Sequence, residues 1–167
     1  MRTMQKPTIS EIRQAFVYDP KTGQITNRVT RGKAVAGELA GGINDAGYLV
    51  VCLKRIRIRG HHIAWALMTG ELPTHEIDHK NGEQADNKWT NLRPATRLQQ
   101  MHNLKTPNTN RSGFKGVSWH GRGKKWQAHI RCDGTNYYLG LFDTAERAHQ
   151  AYRKAADKLH GVFARYA

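Results

Sequence analysis

Ile77-Asp78-His79-Lys80-Asn81-Gly82 decides how this chain is read, and the run continues through Asp86-Asn87 and Asn91-Leu92-Arg93 to Gln100 and Asn103. An aspartate and a histidine are adjacent, a Gly turn follows, and asparagines lead into a helix with further amides. A hard divalent cation takes oxygen ligands such as a carboxylate and amide carbonyls. A neutral imidazole beside it can take a proton from water near neutral pH. One-metal cleavage of a phosphodiester requires that combination.

Each residue of the stretch then has an expected role. Ile77 is apolar and holds the strand in place. Asp78 offers the cation a carboxylate oxygen, and His79 activates the attacking water. Neighbours on a strand point to opposite faces, so both meet one phosphate only where the strand ends or bends. Lys80-Asn81-Gly82 suits such a bend. Asn81 or Asn87 braces the loop, and Asn91-Leu92-Arg93 closes the hairpin. A helix from Ala95 or Thr96 carries Gln99, Gln100 and Asn103. Positions 99 and 103, or 100 and 103, share a face, so one amide there completes the metal shell. The metal would hold a non-bridging phosphate oxygen and the leaving 3′-oxygen.

The rest of the chain fits a nucleic-acid partner. Its 167 residues hold 27 Lys+Arg and 13 Asp+Glu, a formal charge of 27 − 13 = +14. With a pI of ≈ 10.2, a polyanionic partner is expected. The charge is spread: residues 1–112 hold 17 basic and 9 acidic residues, residues 113–167 hold 10 and 4. No apolar run is long enough to span a bilayer, and the N-terminus lacks the apolar core of a signal peptide. The expected location is the cytoplasm, with no membrane partner. Cys52 and Cys132 stand in no paired spacing, which argues against a cysteine-built zinc site. Two buried thiols in a reducing compartment are expected.

The predicted fold class is α+β. A short helix capped by Thr8 or Ser10 buries Ile9, Ile12, Ala15 and Phe16. A turn over 18–23 and a strand over 24–29 follow, then a Gly-rich loop over 37–47. The strand 48–53 continues into or pairs with Arg55-Ile56-Arg57-Ile58-Arg59, where alternation puts Arg55, Arg57 and Arg59 on one face. A solvated face is the plain reading; phosphate contact is favoured beside such a site. A helix over 61–68, with Trp65 as an anchor, ends at Gly70. Residues 104–112 are polar, aperiodic and contain Pro107, so they read as a linker between residues 1–103 and 113–167. The second part reads as three antiparallel strands, 115–119, 125–131 and 136–142, with Asp133-Gly134 at the second turn. Asp143-Thr144-Ala145-Glu146 has the form of a capping box. It opens a helix whose Ala148, Ala151, Tyr152, Ala155, Ala156 and Leu159 face the sheet. Phe114, Val117, Ile130, Leu139 and Phe142 are expected in the core.

On these residues the segment His61 to Asn103 resembles the HNH homing-type endonucleases of phages. The match runs through Gly60-His61-His62-Ile63-Ala64-Trp65, Gly70-Glu71-Leu72-Pro73, Asp78-His79-Lys80-Asn81-Gly82, Asp86-Asn87, Asn91-Leu92-Arg93 and Ala95-Thr96. The resemblance implies a ββα-metal fold with His79 as general base and Asp78 as metal ligand. The cofactor is one divalent ion per site, Mg²⁺ or Mn²⁺. It also implies supporting places for His61, Asn87 and Asn91. The helix position where the family has Asn is Gln100 here, the same amide on a longer arm, with Asn103 nearby. Residues 112–167 resemble the ethylene-response-factor (Apetala-type) DNA-binding domain. The matching residues are Gly113-Phe114-Lys115-Gly116-Val117, Trp126 to Arg131, Leu139 to Glu146, Ala148 and Ala151-Tyr152. That resemblance implies a sheet entering the major groove of double-stranded DNA. The contact candidates are Lys115, Ser118, Trp119, Arg122, Lys124, Trp126, Arg131 and Tyr137.

The expected protein is a metal-dependent DNA endonuclease that nicks one strand as a monomer; no dimerisation device is legible. The competing reading, motivated by Gln100, is a DNA-binding or regulatory protein on a catalytically weakened scaffold. RNA binding fits the charge but lacks single-strand stacking motifs.

Overall fold

The computed structural model describes residues 6–102 and 110–166. They form two compact units, Met1–Ala95 and Thr96–Ala167.

The first unit begins with helix α1, Ile9–Ala15. Thr8 and Glu11 satisfy each other's backbone N–H groups in a capping box, so Thr8 rather than Ser10 caps it. Strand β1, Phe16–Tyr18, follows without a break and pairs antiparallel with β2, Ile25–Asn27. Phe16 is therefore a strand residue rather than the end of the helix. β3 (Gly42–Ile43), β4 (Leu49–Leu53) and β5 (Ile56–Arg59) form an antiparallel sheet in that order. Lys54 and Arg55 join β4 to β5 with φ of 51° and 66°, the left-handed pair of a two-residue hairpin turn. Arg55 thus lies in the turn and does not share the strand face of Arg57 and Arg59. Helix α2, Gly60–Thr69, ends on Gly70 with φ 81° and ψ 6°, a left-handed cap that glycine adopts without strain. The apolar faces of these elements meet around Ile12, Phe16, Ile25, Val51 and Ile63.

A second hairpin carries the Asp-His stretch. β6 (Glu76–His79) pairs with β7 (Leu92–Ala95), Asp78 opposite Arg93 and His79 opposite Leu92. Ile77 and Leu92 pack with Ala64 of α2, flanked by Trp65 and Trp89. Trp65 lies 5.3 Å from Trp89, ring centre to ring centre, which accounts for its anchoring place.

In the second unit, helix α3 (Arg97–His102) starts at Thr96, whose Oγ1 accepts from Gln99 N while Gln99 Oε1 accepts from Thr96 N. β8 (Val117–His120), β9 (Lys125–Cys132) and β10 (Thr135–Phe142) form an antiparallel sheet with β9 central. Asp133 and Gly134 make the β9–β10 turn with φ of 49° and 81°, the geometry an Asp-Gly pair favours. Helix α4, Ala145–His160, packs across one face. Ala148 and Ala156 have no exposed surface, and such small side chains let the helix lie close. Val117 and Ile130 are buried; Phe114, Leu139 and Phe142 are half-buried against the same core.

Two expectations need correction. The cap of α4 is Thr144, whose side chain accepts from Arg147 N. Asp143 instead pairs with Lys125 at 3.0 Å and Arg147 at 3.9 Å, so the expected Asp143/Glu146 box does not form. Cys132 is buried as expected, but Cys52 is exposed, because its partner in the β4–β5 register is Arg57 on the solvated face.

Gly116 shows how tightly the second unit is assembled. Its φ is 71°, and a Cβ there would lie 2.1 Å from Tyr152 Cδ2 and 2.5 Å from His129 O. Gly116→Ala is expected to destabilise this unit by more than about 1 kcal/mol, read as a lower thermal midpoint. An unchanged midpoint would contradict the packing described.

Candidate active site and DNA-facing sheet

Asp78 and His79 are the last two residues of β6, so the strand ends at the pair, as their expected meeting on one phosphate requires. The bend after them is tied down: Lys80 N donates to Asn91 O at 2.8 Å and Gly82 N to His79 O at 2.8 Å. The asparagines divide the bracing between them. Asn91 Nδ2 donates to Asn81 Oδ1 and Asp86 O, while Asn91 Oδ1 accepts from Asn81 N. Asn81 Nδ2 in turn donates to Asp86 Oδ2 at 2.9 Å. Asn87 is the one that reaches the histidine.

His79 is only 4% exposed. Its Nε2 lies 3.2 Å from Asn87 Oδ1. Asn87 Nδ2 donates to Ala85 O at 3.2 Å, which turns the amide oxygen toward the ring. His79 Nε2 therefore carries the proton and donates, and Nδ1 carries the lone pair. Burial pushes the His79 pKa down, against the hydrogen bond to Asn87 and the charges of Asp78 and Asp86. A neutral ring with its basic nitrogen fixed is the form a general base needs.

Two aromatic rings stand against that imidazole. His61, on the first turn of α2, stands edge-on to it with ring centres 4.9 Å apart. Tyr48 lies 6.1 Å from His79 and 5.5 Å from His61. Arg59 stacks its guanidinium over Tyr48 at 4.6 Å. His61 is 2% exposed, and burial pushes its pKa down to about 2. It is a permanently neutral part of the wall. Tyr18, from β1, donates its hydroxyl to Asn87 O at 2.7 Å. The N-terminal strands thus hold the residue that orients the base.

Asp78 is 8% exposed. Arg93, its cross-strand partner, donates Nε to Asp78 Oδ2 at 2.8 Å and places Nη2 2.7 Å from the same oxygen. Asn-Leu-Arg in the sequence read only as hairpin closure; the pairing follows from register, which spacing alone did not supply. Among the described residues no group of three or more His, Cys, Asp or Glu could hold a metal. A cage built wholly from such side chains is therefore absent there. One carboxylate with an amide oxygen, water and substrate phosphate remains a suitable donor set for Mg²⁺, which keeps several waters and uses few protein ligands. Gln100 sits on α3, in the second unit. Asn103 lies outside the described residues.

The remaining candidates divide by face. Arg57 and Arg59 share the solvated side of the β3–β4–β5 sheet, beside Asn44 and Val50. In the second unit, Ser118 and Arg131 lie on the face turned away from α4, by alternation from the buried Val117 and Ile130. Trp119, Trp126 and Tyr137 lie on the helix side: Trp126 joins the core, Trp119 pairs with it, and Tyr137 is opposite Ile130. Lys115 is half-buried, and burial pushes its pKa down to about 8. Arg122 and Lys124 stand in the exposed turn between β8 and β9. Tyr138 is 58% exposed on the open face, opposite His129. Gln127 also stands there and was not singled out from the sequence. A β-bulge between Tyr138 and Gly140 sets the parity of β10, and no local sequence signal announces it.

Arg93→Leu would leave the Asp78 carboxylate buried without its guanidinium. A loss of about 3 kcal/mol in unfolding free energy is expected, measured by denaturant titration; an unchanged midpoint would show that the pair does not hold the hairpin. His61 makes a second prediction. Between pH 6.5, the ordinary imidazole value, and about 2, the unfolded chain binds a proton at this position that the folded chain does not. Its contribution to stability is thus present above 6.5 and is lost as the pH falls, by up to about 1.4 kcal/mol per pH unit. His61→Phe should flatten the fall in thermal midpoint between pH 6.5 and 4; an equally steep fall would contradict the burial.

Known proteins resemble the chain in both parts. The HNH endonuclease family model matches residues 59–102, and the AP2 domain model matches residues 112–161. Protein 3.8 of Escherichia phage T7 is 33% identical over 109 residues, covering 65% of this chain and 89% of that protein. APETALA2-like protein 2 of Oryza sativa subsp. indica is 41% identical over 56 residues, 34% of this chain and 13% of the rice protein. The AP2-like ethylene-responsive transcription factor TOE2 of Arabidopsis thaliana is 41% identical over 56 residues, 34% of this chain and 12% of that one. A solved structure describing DNA binding and cleavage by the HNH homing endonuclease I-HmuI aligns with a TM-score of 0.41 at 18% identity, covering 94% of this chain and 91% of that one. The chain belongs to one family with Protein 3.8 of phage T7, and it carries an HNH endonuclease domain over residues 59–102 and an AP2 domain over residues 112–161.

Proposed function

We propose that the protein is a metal-dependent DNA endonuclease that nicks one strand of a duplex held by its AP2 domain. The observation that carries this is the His79–Asn87 contact of 3.2 Å, which leaves the lone pair on Nδ1 of a buried neutral ring beside the Asp78 carboxylate.

His79 Nδ1 accepts the proton of a water whose oxygen attacks phosphorus. Asn87 keeps the ring in the required tautomer and stabilises the imidazolium as it forms. The bond from phosphorus to the 3′-oxygen breaks, the departing oxygen takes a proton from solvent and the imidazolium returns one to solvent, giving a 5′-phosphate and a 3′-hydroxyl. Arg93 fixes the orientation of Asp78. A divalent cation, Mg²⁺ or Mn²⁺, would be held by Asp78 together with amide, water and phosphate oxygens, and its charge would stabilise the phosphate and the leaving oxygen. Arg57 and Arg59 supply phosphate contacts on the first unit, and Arg131 on the second. One such site cuts one strand, so a monomer suffices. The +14 charge makes binding salt-sensitive. Among the described residues no helix is long and apolar enough to cross a membrane, and the proposed place of action is the host-cell cytoplasm.

A binding-only protein is favoured by one observation, the guanidinium of Arg93 already held by Asp78 Oδ2. A supercoiled-plasmid assay separates the two. Conversion to the nicked form with Mg²⁺ or Mn²⁺, stopped by EDTA and reduced at least about a hundredfold in His79→Ala, is expected. Salt-sensitive binding with no conversion under either metal would establish the binding-only reading.

A further inference from the structure

The open face of the C-terminal sheet carries a row of three side chains across its strands. Ser118 of β8 is opposite Gln127 of β9, and Gln127 is opposite Leu141 of β10. We propose that this row reads one A·T base pair, with Gln127 on adenine and Leu141 on the thymine methyl group. The inference rests on the proposed DNA-binding role of this sheet.

Gln127 is set for adenine before any DNA arrives. Its Nε2 donates to Ser118 Oγ at 3.0 Å. One N–H of the amide is thereby used, and a second N–H and the carbonyl oxygen remain. Adenine offers N7 as acceptor and N6–H as donor at the major-groove edge, the complement of that remaining pair. Ser118 holds the amide against a flip that would exchange donor and acceptor. An orientation fixed in advance also reduces the ordering cost of binding.

Leu141 supplies the other half. It is 40% exposed on a face otherwise polar along this row. One exposed leucine is ordinary on a protein surface, but here it is the direct cross-strand neighbour of the amide. Adjacent strands lie about 4.8 Å apart, short enough for the two side chains to address one base pair. Thymine presents a methyl group in the major groove, and an apolar side chain is its partner. Toward its ends the face carries charge for phosphates: Lys125, which also pairs with Asp143, opposite His120 at one end, and Arg131 opposite Asn136 at the other, beyond the His129–Tyr138 row. The row between them, Ser118, Gln127 and Leu141, thus offers hydroxyl, amide and apolar groups where guanine would call for arginine or lysine.

The test uses the full-length chain carrying His79→Ala, so that bound DNA is not cut, and a pool of random-sequence duplexes. Selection is expected to return duplexes with a fixed A·T position. Adding Gln127→Ala should lower the preference for adenine there roughly tenfold. Gln127→Glu should move it toward cytosine, whose N4 amino group donates to a carboxylate. Replacing the thymine of the selected duplex by uracil removes only the methyl group. It should weaken binding by the Leu141 chain several-fold and leave binding by Leu141→Ala unchanged. Selected sequences that stay the same in Gln127→Ala, with no response to uracil, would overturn the assignment while leaving DNA binding intact. Failure to enrich any duplex, with no salt-dependent binding, would overturn the underlying DNA-binding reading and this assignment with it.

Discussion

The hydrogen bond from His79 Nε2 to Asn87 Oδ1 is the contact on which the candidate site is organised. An imidazole this deeply buried is neutral, and each of its nitrogens has a defined role. The acceptor must be an oxygen facing the ring, and Asn87 meets that condition because Ala85 O takes its amide nitrogen. Tyr18 reaches across 69 positions of sequence to hold the carbonyl of Asn87. The N-terminal strands, which carry none of the proposed reacting groups, thereby determine how the base is presented. His61 and Tyr48 complete the enclosure without adding charge to it.

A buried carboxylate one residue away presents the opposite problem. A carboxylate left without a partner in a nearly dry position is costly. Arg93 compensates from the neighbouring strand. In this chain the pairing serves the fold, and it also places a guanidinium beside the oxygen atoms that a cation would use. That competition is why both catalytic and binding-only readings are physically coherent, and why activity decides between them.

Much of this was legible in the sequence, for identifiable reasons. Asp133-Gly134 demands a tight hairpin, Gly70 a helix end, and Asp78-His79 before a Gly turn a strand that stops at the reactive pair. These are local signals, and local chemistry enforces them. What escaped depended on partners distant in sequence. The choice of Asn87 over Asn81 as the brace for His79 follows from how the loop closes on itself. The Asp78–Arg93 pair follows from hairpin register. In the second unit the bulge between Tyr138 and Gly140 shifts the parity of β10, so that Tyr138 and Leu141 both lie on the open face while Phe142 joins the core. Alternation shows that residues two apart share a face, but not which face meets the helix.

The central claim is that Asn87 fixes His79 as the Nε2–H tautomer, with Nδ1 the basic nitrogen. Nitrogen-15 NMR of the imidazole at neutral pH tests it directly. The account predicts a protonated, pyrrole-type shift at Nε2 and an unprotonated, pyridine-type shift at Nδ1, with the tautomers mixing in Asn87→Ala. A proton on Nδ1 in the unmodified chain, or a spectrum indifferent to Asn87, would contradict it.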